Sequence, residues 1–207
     1  MNPVKYIVLF LLMTLFVAAG CMPPVTYVVD VNYTPTLKED IGAKVEELEI
    51  AVIPFEDMRK EKKSVGERRH LTGNVDEFDA RPYPVTSAVT QTLVSALKIH
   101  GYKTEILQKG ADLERINQSP PHIVISGNIE EFRADAVSKP GYTDIKTDVL
   151  LQVKVYKVDD RSSYTTTVQS QSEPRVIIFN PSVMQKAIND TLSDAINRLI
   201  ASKWQNR

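Results

Sequence analysis

The clearest pattern in this chain is the alternation of apolar and polar residues across 145–158, and it restricts the fold more than any other feature. Ile145, Val149, Leu151, Val153 and Val155 fall on one side; Lys146, Asp148, Gln152 and Lys154 fall mostly on the other. A period of two belongs to a strand that buries one face and wets the other, as antiparallel sheets do. Asp159, Asp160 and Arg161 supply a turn, and the Thr-rich residues 163–172 return as a strand with an exposed face.

The remaining elements arrange themselves around that pair. Residues 49–55 form a β-branched run closed by Pro54 and Phe55, which reads as a buried strand. After Pro84, the residues Val85, Val89, Leu93, Ala96 and Leu97 share one helical face, and Gly101 suits the left-handed turn that ends a helix. Residues 102–107 read as a strand and 111–117 as a short helix. Residues 122–132 begin as a continuous apolar run and read as a long strand, bulged near Gly127. From Pro181 to Trp204 apolar residues recur at helical spacing, among them Val183, Ala187, Ile188, Leu192, Ile196 and Leu199, with Asn180 as N-cap. Two amphipathic helices do not cover both faces of a sheet. The expected fold is therefore α+β: a two-layer sandwich, with a mixed, mostly antiparallel sheet of about five strands and two main helices packed on one face.

Residues 56–83 fit none of these patterns. They are dense in both charges, contain Gly66 and Gly73, and show no sustained period. Two readings stand side by side: a solvated insertion with a hairpin around Gly73 and Asn74, or a partner-binding loop presenting Asp57, Arg59, Arg68, Arg69 and Asp76. Asp57 and Arg59, just past the first buried strand, read as a local ion pair pinning the loop.

The N-terminus carries a different signal. Lys5 precedes an apolar run that ends in small residues, the order of a secretory signal. The run from Tyr6 to Cys21 is short of the roughly 20 residues that span a bilayer, and Pro23 and Pro24 follow it. Val17, Ala18, Ala19, Gly20 and Cys21 resemble the lipobox of bacterial lipoproteins, although Ala18 stands where leucine is commoner. The resemblance implies cleavage between Gly20 and Cys21, and acylation of Cys21. Each buried methylene contributes about 0.8 kcal/mol, so two or three acyl chains would anchor the protein without spanning. The expected organisation is a signal peptide at 1–20, a lipidated N-terminus and extended tether at 21–47 with room for a short strand at Tyr27 to Val31, and a periplasmic domain at 48–207. Cys21 is the sole cysteine, so no disulfide forms and a packed core must supply stability.

Composition and motif spacing narrow the chemistry. The full chain has a formal net charge of −1, and loss of residues 1–20 removes only Lys5 among its charged groups, which argues against a nucleic-acid partner. His70, His100 and His122 fall in three unrelated settings, and no CxxC, HExxH, Walker loop or nucleophile elbow occurs. The carboxylates at Glu56 and Asp57, at Asp76, Glu77 and Asp79, and at Glu130 and Glu131 read as solvated charge. No catalytic residue, metal or cofactor is expected.

These features together resemble the YajG-type family of bacterial lipoproteins: the lipobox at Cys21, the first strand leading to Asp57, Arg59 and Gly66, the helix ending at Gly101 and Tyr102, and the run Ile125, Gly127, Ile129. The longer loop between Gly66 and Tyr83 and the extended tether depart from that family. The layout is also similar to the curli-secretion lipoprotein and the N-terminal domain of TolB. The resemblance implies a non-enzymatic accessory protein anchored in the outer membrane and facing the periplasm. Met22 after Cys21 resembles the outer-membrane sorting pattern. Its expected partner is an envelope protein or cell-wall component, met by the charged loop or by strand addition along 163–172. Membership of an oligomeric export or assembly complex is the alternative, and an envelope hydrolase the third reading. If the charged segment is a partner-binding loop, deleting residues 60–80 removes partner capture and leaves thermal unfolding intact.

Overall fold

The computed structural model describes residues 24–35, 48–80, 83–108 and 121–202. The signal segment, Cys21, most of the expected tether, the short helix expected at 111–117, and Trp204 lie outside the described residues.

Ten strands and two helices follow one another along the described chain: β1 (Thr26–Val28), β2 (Glu49–Val52), β3 (Glu56–Asp57), β4 (Gly66–Arg69), β5 (Val75–Asp79), α1 (Val85–Ile99), β6 (Lys103–Ile106), β7 (Ile123–Lys139), β8 (Tyr142–Lys157), β9 (Ser162–Ser172), β10 (Arg175–Val176) and α2 (Pro181–Ala201). All ten strands join one mixed sheet. This corrects the expected sheet of about five strands. The five that the pattern shows, β2, β6, β7, β8 and β9, are present, and β1, β3, β4, β5 and β10 are added to them. The sheet is mixed, as expected, with its parallel share divided among five short pairings. The long β7–β8 and β8–β9 pairings are antiparallel, but the pairings β1–β5, β2–β6, β2–β7, β3–β7 and β4–β7 are parallel.

The reason lies in β7, which runs well past the segment whose periodicity is visible. It pairs with β8 along its whole length, from Ile123 opposite Lys157 to Lys139 opposite Tyr142. Its other edge is used in three steps: by β2 at residues 123–125, by β3 at 128–129 and by β4 at 134–137. The charged segment is thus drawn into the sheet as a hairpin, β4–β5, turning at Gly73, with His70 N–H donating to Asn74 O at 2.8 Å. Gly66 permits the join, because a Cβ there would fall 1.6 Å from the Ala134 carbonyl oxygen. The β-bulge sits between Ile129 and Glu131 rather than at Gly127. Gly127 stays in register opposite Val153, and its missing Cβ leaves room for the Phe55 ring.

Both helices lie on one face, with α2 against β7, β8 and β9 and α1 against β3, β6 and α2. Ile145, Val149, Leu151, Val153 and Val155 are buried beneath them together with Phe78, Phe132, Leu93 and Ile188. Burial of this apolar surface, at roughly 25 cal/mol per Å², drives the assembly. α1 ends at Gly101, whose φ of 87° a residue with a Cβ rarely adopts. α2 starts at Asn180, whose side chain accepts from Ser182 N–H at 3.0 Å, with Pro181 in the first turn. No helix among the described residues is long and apolar enough to cross a membrane.

Part of the expected tether is built into the fold. Beyond β1, residues 29–34 run along α2, where Gln185, Asn189, Ser193 and Asn197 recur every fourth position and so share one face. Asn189 accepts from Asn32 N–H at 3.2 Å and donates to Asp30 O at 3.0 Å. Ser193 accepts from Thr34 N–H at 2.8 Å, and Asn197 accepts from the Tyr33 hydroxyl at 2.7 Å. Val29 N–H still donates to Asp79 O of β5, and beyond it polar side chains of α2 satisfy the backbone.

Candidate functional site

The face of the sheet away from the helices is polar, and its centre is a cleft of about 720 Å³, within the range of ligand sites. Register explains the floor. Alternate residues of a strand share a face, so Glu131, Leu150 and Gln169 form one cross-strand row, and Arg133, Asp148 and Gln171 the next. The bulge places the extra residue, Glu130, beside Glu131 on the cleft wall. Met58, Lys60, Glu61 and Ser64 form the rim.

Arg59 holds that rim. Its side chain is only 5% exposed. It makes a forked pair with Asp57, Nε to Oδ1 at 3.0 Å and Nη2 to Oδ2 at 3.0 Å, while Nη1 donates to Ser64 O at 3.1 Å and Phe132 O at 3.2 Å. The fork matches a planar guanidinium to a carboxylate and ties the 58–64 loop to β7. Partial burial alone would raise the Asp57 pKa. The hydrogen bonds and positive charge of Arg59 outweigh it, so the carboxyl sits below its ordinary value.

The other residues expected in a binding loop are not at this cleft. Arg68 stacks over Phe179 at 4.0 Å and donates to Ser138 Oγ at 3.1 Å. Arg69 pairs with Glu67 at 2.7 Å. Asp76 is buried and meets His70 Nε2 at 2.7 Å. These three belong to the β4–β5 hairpin, and each makes contacts within the molecule. His122 Nδ1 accepts from Glu49 N–H at 3.1 Å, and His100 caps α1, so the three histidines stay apart. Sequence reasoning missed the cleft floor because its residues meet only through register. The visible signal was the wet side of 145–158, which carries Lys146 and Asp148.

Next to the floor runs β9. Among the described residues it pairs with β8 alone, and its sequence SSYTTTVQSQS holds no charge, proline or glycine. Edge strands are usually blunted by such residues. Gln169 and Gln171 belong both to this edge strand and to the cleft. A smaller cleft of about 460 Å³, lined by Val28, Val31, Tyr83, Ala88 and Gln91, lies between residues 28–32 and α1.

One sheet carrying both helices on one face defines an α+β fold shared with a solved structure. A Xanthomonas campestris protein of the DUF330 family is similar over 85% of this chain and 92% of that one, at 15% identity and a TM-score of 0.51. The PelC dodecamer from Paraburkholderia phytofirmans is similar over 71% and 86%, at 13% identity and a TM-score of 0.40. Lipoprotein GNA1162 from Neisseria meningitidis is similar over 75% and 99%, at 10% identity and a TM-score of 0.38. The first likeness establishes a shared fold and nothing of activity, and the other two are too loose for either. No family model matches the chain, and no curated protein matches it.

Proposed function

We propose that the chain is a YajG-type lipoprotein, anchored through acylated Cys21 in the outer membrane and facing the periplasm, whose domain captures an envelope protein by strand addition along β9 without covalent chemistry. The anchor is supported by the run from Val17 to Cys21. The capture is carried by the outer edge of β9, eleven residues long with no charge or proline of its own; a partner strand would displace the long contact of Arg198 Nη1 with Gln169 O, at 3.5 Å. A partner strand would gain its affinity from main-chain hydrogen bonds, and the side chains flanking Gln169 and Gln171 would give selectivity.

The test uses the full chain in its native envelope, with a photo-crosslinking residue at Gln169 and a second chain also carrying Thr165→Lys and Thr167→Lys. A discrete crosslinked protein is expected, lost in the lysine variant while its thermal unfolding stays unchanged. A crosslink that survives the lysines, or none in either chain, overturns edge capture. A crosslink to a second copy replaces it with the alternative, an assembly subunit. Intact mass beside a Cys21→Ala variant reads the anchor separately.

The cleft supports a second reading, retention of a polar cell-wall fragment on the sheet face. Soluble peptidoglycan fragments should then shift the amide signals of Gln169 and Gln171. Glu61, Glu130, Glu131 and Asp148 line the cleft, interleaved with Lys60, Arg133 and Lys146. Turnover of those fragments, abolished by Glu131→Gln, would make the protein a hydrolase instead.

A further inference from the structure

We infer that the end of the molecule formed by the 70–74, 139–142 and 177–179 turns rests on the bilayer surface that holds the anchor, with Leu71, Ile177 and Ile178 inserted among the lipid headgroups. The inference deepens the lipoprotein reading and rests on it for the position of Cys21.

Register places these turns together. Arg69 stands opposite both Val75 and Val137, Val137 opposite Asp144, and Asp144 opposite Arg175. Those residues lie at one level across β5, β4, β7, β8 and β10, and the chain beyond that level turns back in three tips. Leu71 caps the first at 64% exposed, and Ile177 and Ile178 cap the third at 84% and 81%. Adjacent isoleucines left this bare in water are a loss that contact with an apolar phase reverses.

The path of the N-terminus identifies that phase. β1 runs parallel to β5 with Thr26 opposite Glu77, so the chain ahead of it is heading for the level of Val75. Val25 continues the pairing, accepting from Glu77 N–H at 3.0 Å and donating to Asp76 Oδ1 at 3.3 Å. Cys21 precedes Val25 by four residues, a reach of about 14 Å at most when fully extended. An acyl group on Cys21 therefore enters the membrane beside the three tips.

The polar groups at this end suit a headgroup layer. Lys139 and Arg175 share one carboxylate, Asp144, each at 2.7 Å, which leaves one positive charge in excess. Arg175 stacks over Tyr142 at 4.1 Å. A tyrosine and cations bordering apolar tips form the profile of an interfacial surface, apolar below and charged at the rim.

The test places a polarity-sensitive fluorophore at Leu71→Cys, at Ile178→Cys, or at Asp159→Cys in the β8–β9 turn at the opposite end of β8. Each full chain is incorporated into phosphatidylethanolamine and phosphatidylglycerol vesicles containing nitroxide-labelled lipid. Acylated Cys21 leaves the new thiol as the only one to label. Emission from positions 71 and 178 is expected to shift to the blue and be quenched by the nitroxide, while position 159 stays as in water. Adding Ile177→Asp and Ile178→Asp to the Leu71→Cys chain should return position 71 toward water while the protein stays on the vesicles. Equal emission and quenching at positions 71, 178 and 159 overturn the inference. Intact mass reports the anchor independently: an unmodified Cys21 overturns the lipoprotein reading, whereas an acylated chain with equal signals at the three positions overturns this inference alone, so the two failures are distinguishable.

Discussion

A single charge pair organises the loop over the polar cleft. Among the described residues Asp57 is the only acidic partner of Arg59 in its hydrogen bonds, and the other two acceptors are the carbonyls of Ser64 and Phe132. Replacing Asp57 by asparagine leaves a buried guanidinium without its counter-charge, which costs about 3 kcal/mol at pH 7. Because the folded-state pKa of Asp57 is lowered, its contribution is complete above the unfolded value near 3.9 and is lost as pH falls through the lower folded value. Denaturant midpoints of the wild-type and Asp57→Asn chains are therefore expected to differ at neutral pH and to converge as the solution is acidified below about pH 4. A gap that persists undiminished into strong acid would mean that asparagine disturbs packing rather than charge. Arg59→Lys should recover little of the stability, since an ammonium cannot fork to one carboxylate while reaching two carbonyls.

At the level of elements, α2 does two jobs with two faces. Its apolar face, with Ile188, Leu192 and Ile196, lies on the sheet, and a polar row beside it binds residues 29–34. Asn189→Ala removes two of the three hydrogen bonds that hold residues 30 and 32 to α2, leaving Asp30 N–H on Gln185 Oε1, at a cost of about 1–2 kcal/mol. Amide exchange in residues 29–34 is expected to quicken while β7 and β8 keep their protection, and unchanged protection at 29–34 would show that apolar contacts of Val29 and Val31 suffice. The same helix shows where sequence reasoning works and where it stops. Its apolar period, the N-cap at Asn180 and the turn at Gly101 after α1 are local signals, and the structure keeps each of them. β8 was legible because one face is buried at every second residue. The turn between β4 and β5 was legible at Gly73 and Asn74, but their place in the sheet was not, because Gly-Glu-Arg-Arg and Val-Asp-Glu-Phe-Asp bury a single large apolar side chain, Phe78, and owe their strand form to β7 and to each other. Asp57 and Arg59 were legible as neighbours two residues apart. The cleft floor was not, since Glu131, Leu150 and Gln169 become adjacent only through a register that a bulge at residue 130 shifts.

For the molecule as a whole, the decisive question is whether the charged segment is an appendage or a part of the core. Phe78 answers it. Its ring is wholly buried, stacked 5.4 Å from Tyr27 and edge-on to Phe179 at 6.3 Å, so it joins β1, β5 and the approach to α2. Among the described residues β5 is also the only strand that pairs with β1. Removing residues 60–80 would therefore strip Val65, Phe78 and Ala80 from the core, release β1 and uncover the far half of β7, and loss of folding is expected rather than a clean loss of binding. Phe78→Ala poses the same question with one side chain. Truncating a buried phenylalanine costs about 3–5 kcal/mol, and for a chain of this size each kcal/mol lowers the midpoint by about 2–4 °C. A fall on the order of 10 °C is thus expected in one cooperative thermal transition followed by circular dichroism. An appendage would show almost no change, and two separate transitions would divide the sheet into a β2–β6–β7–β8–β9 body and an independent β1–β4–β5 layer. Phe78 shares one continuous apolar cluster with Phe132, Leu93 and Ile188. That continuity argues for the single transition, because one apolar cluster joins the two halves of the sheet on the side that the helices cover.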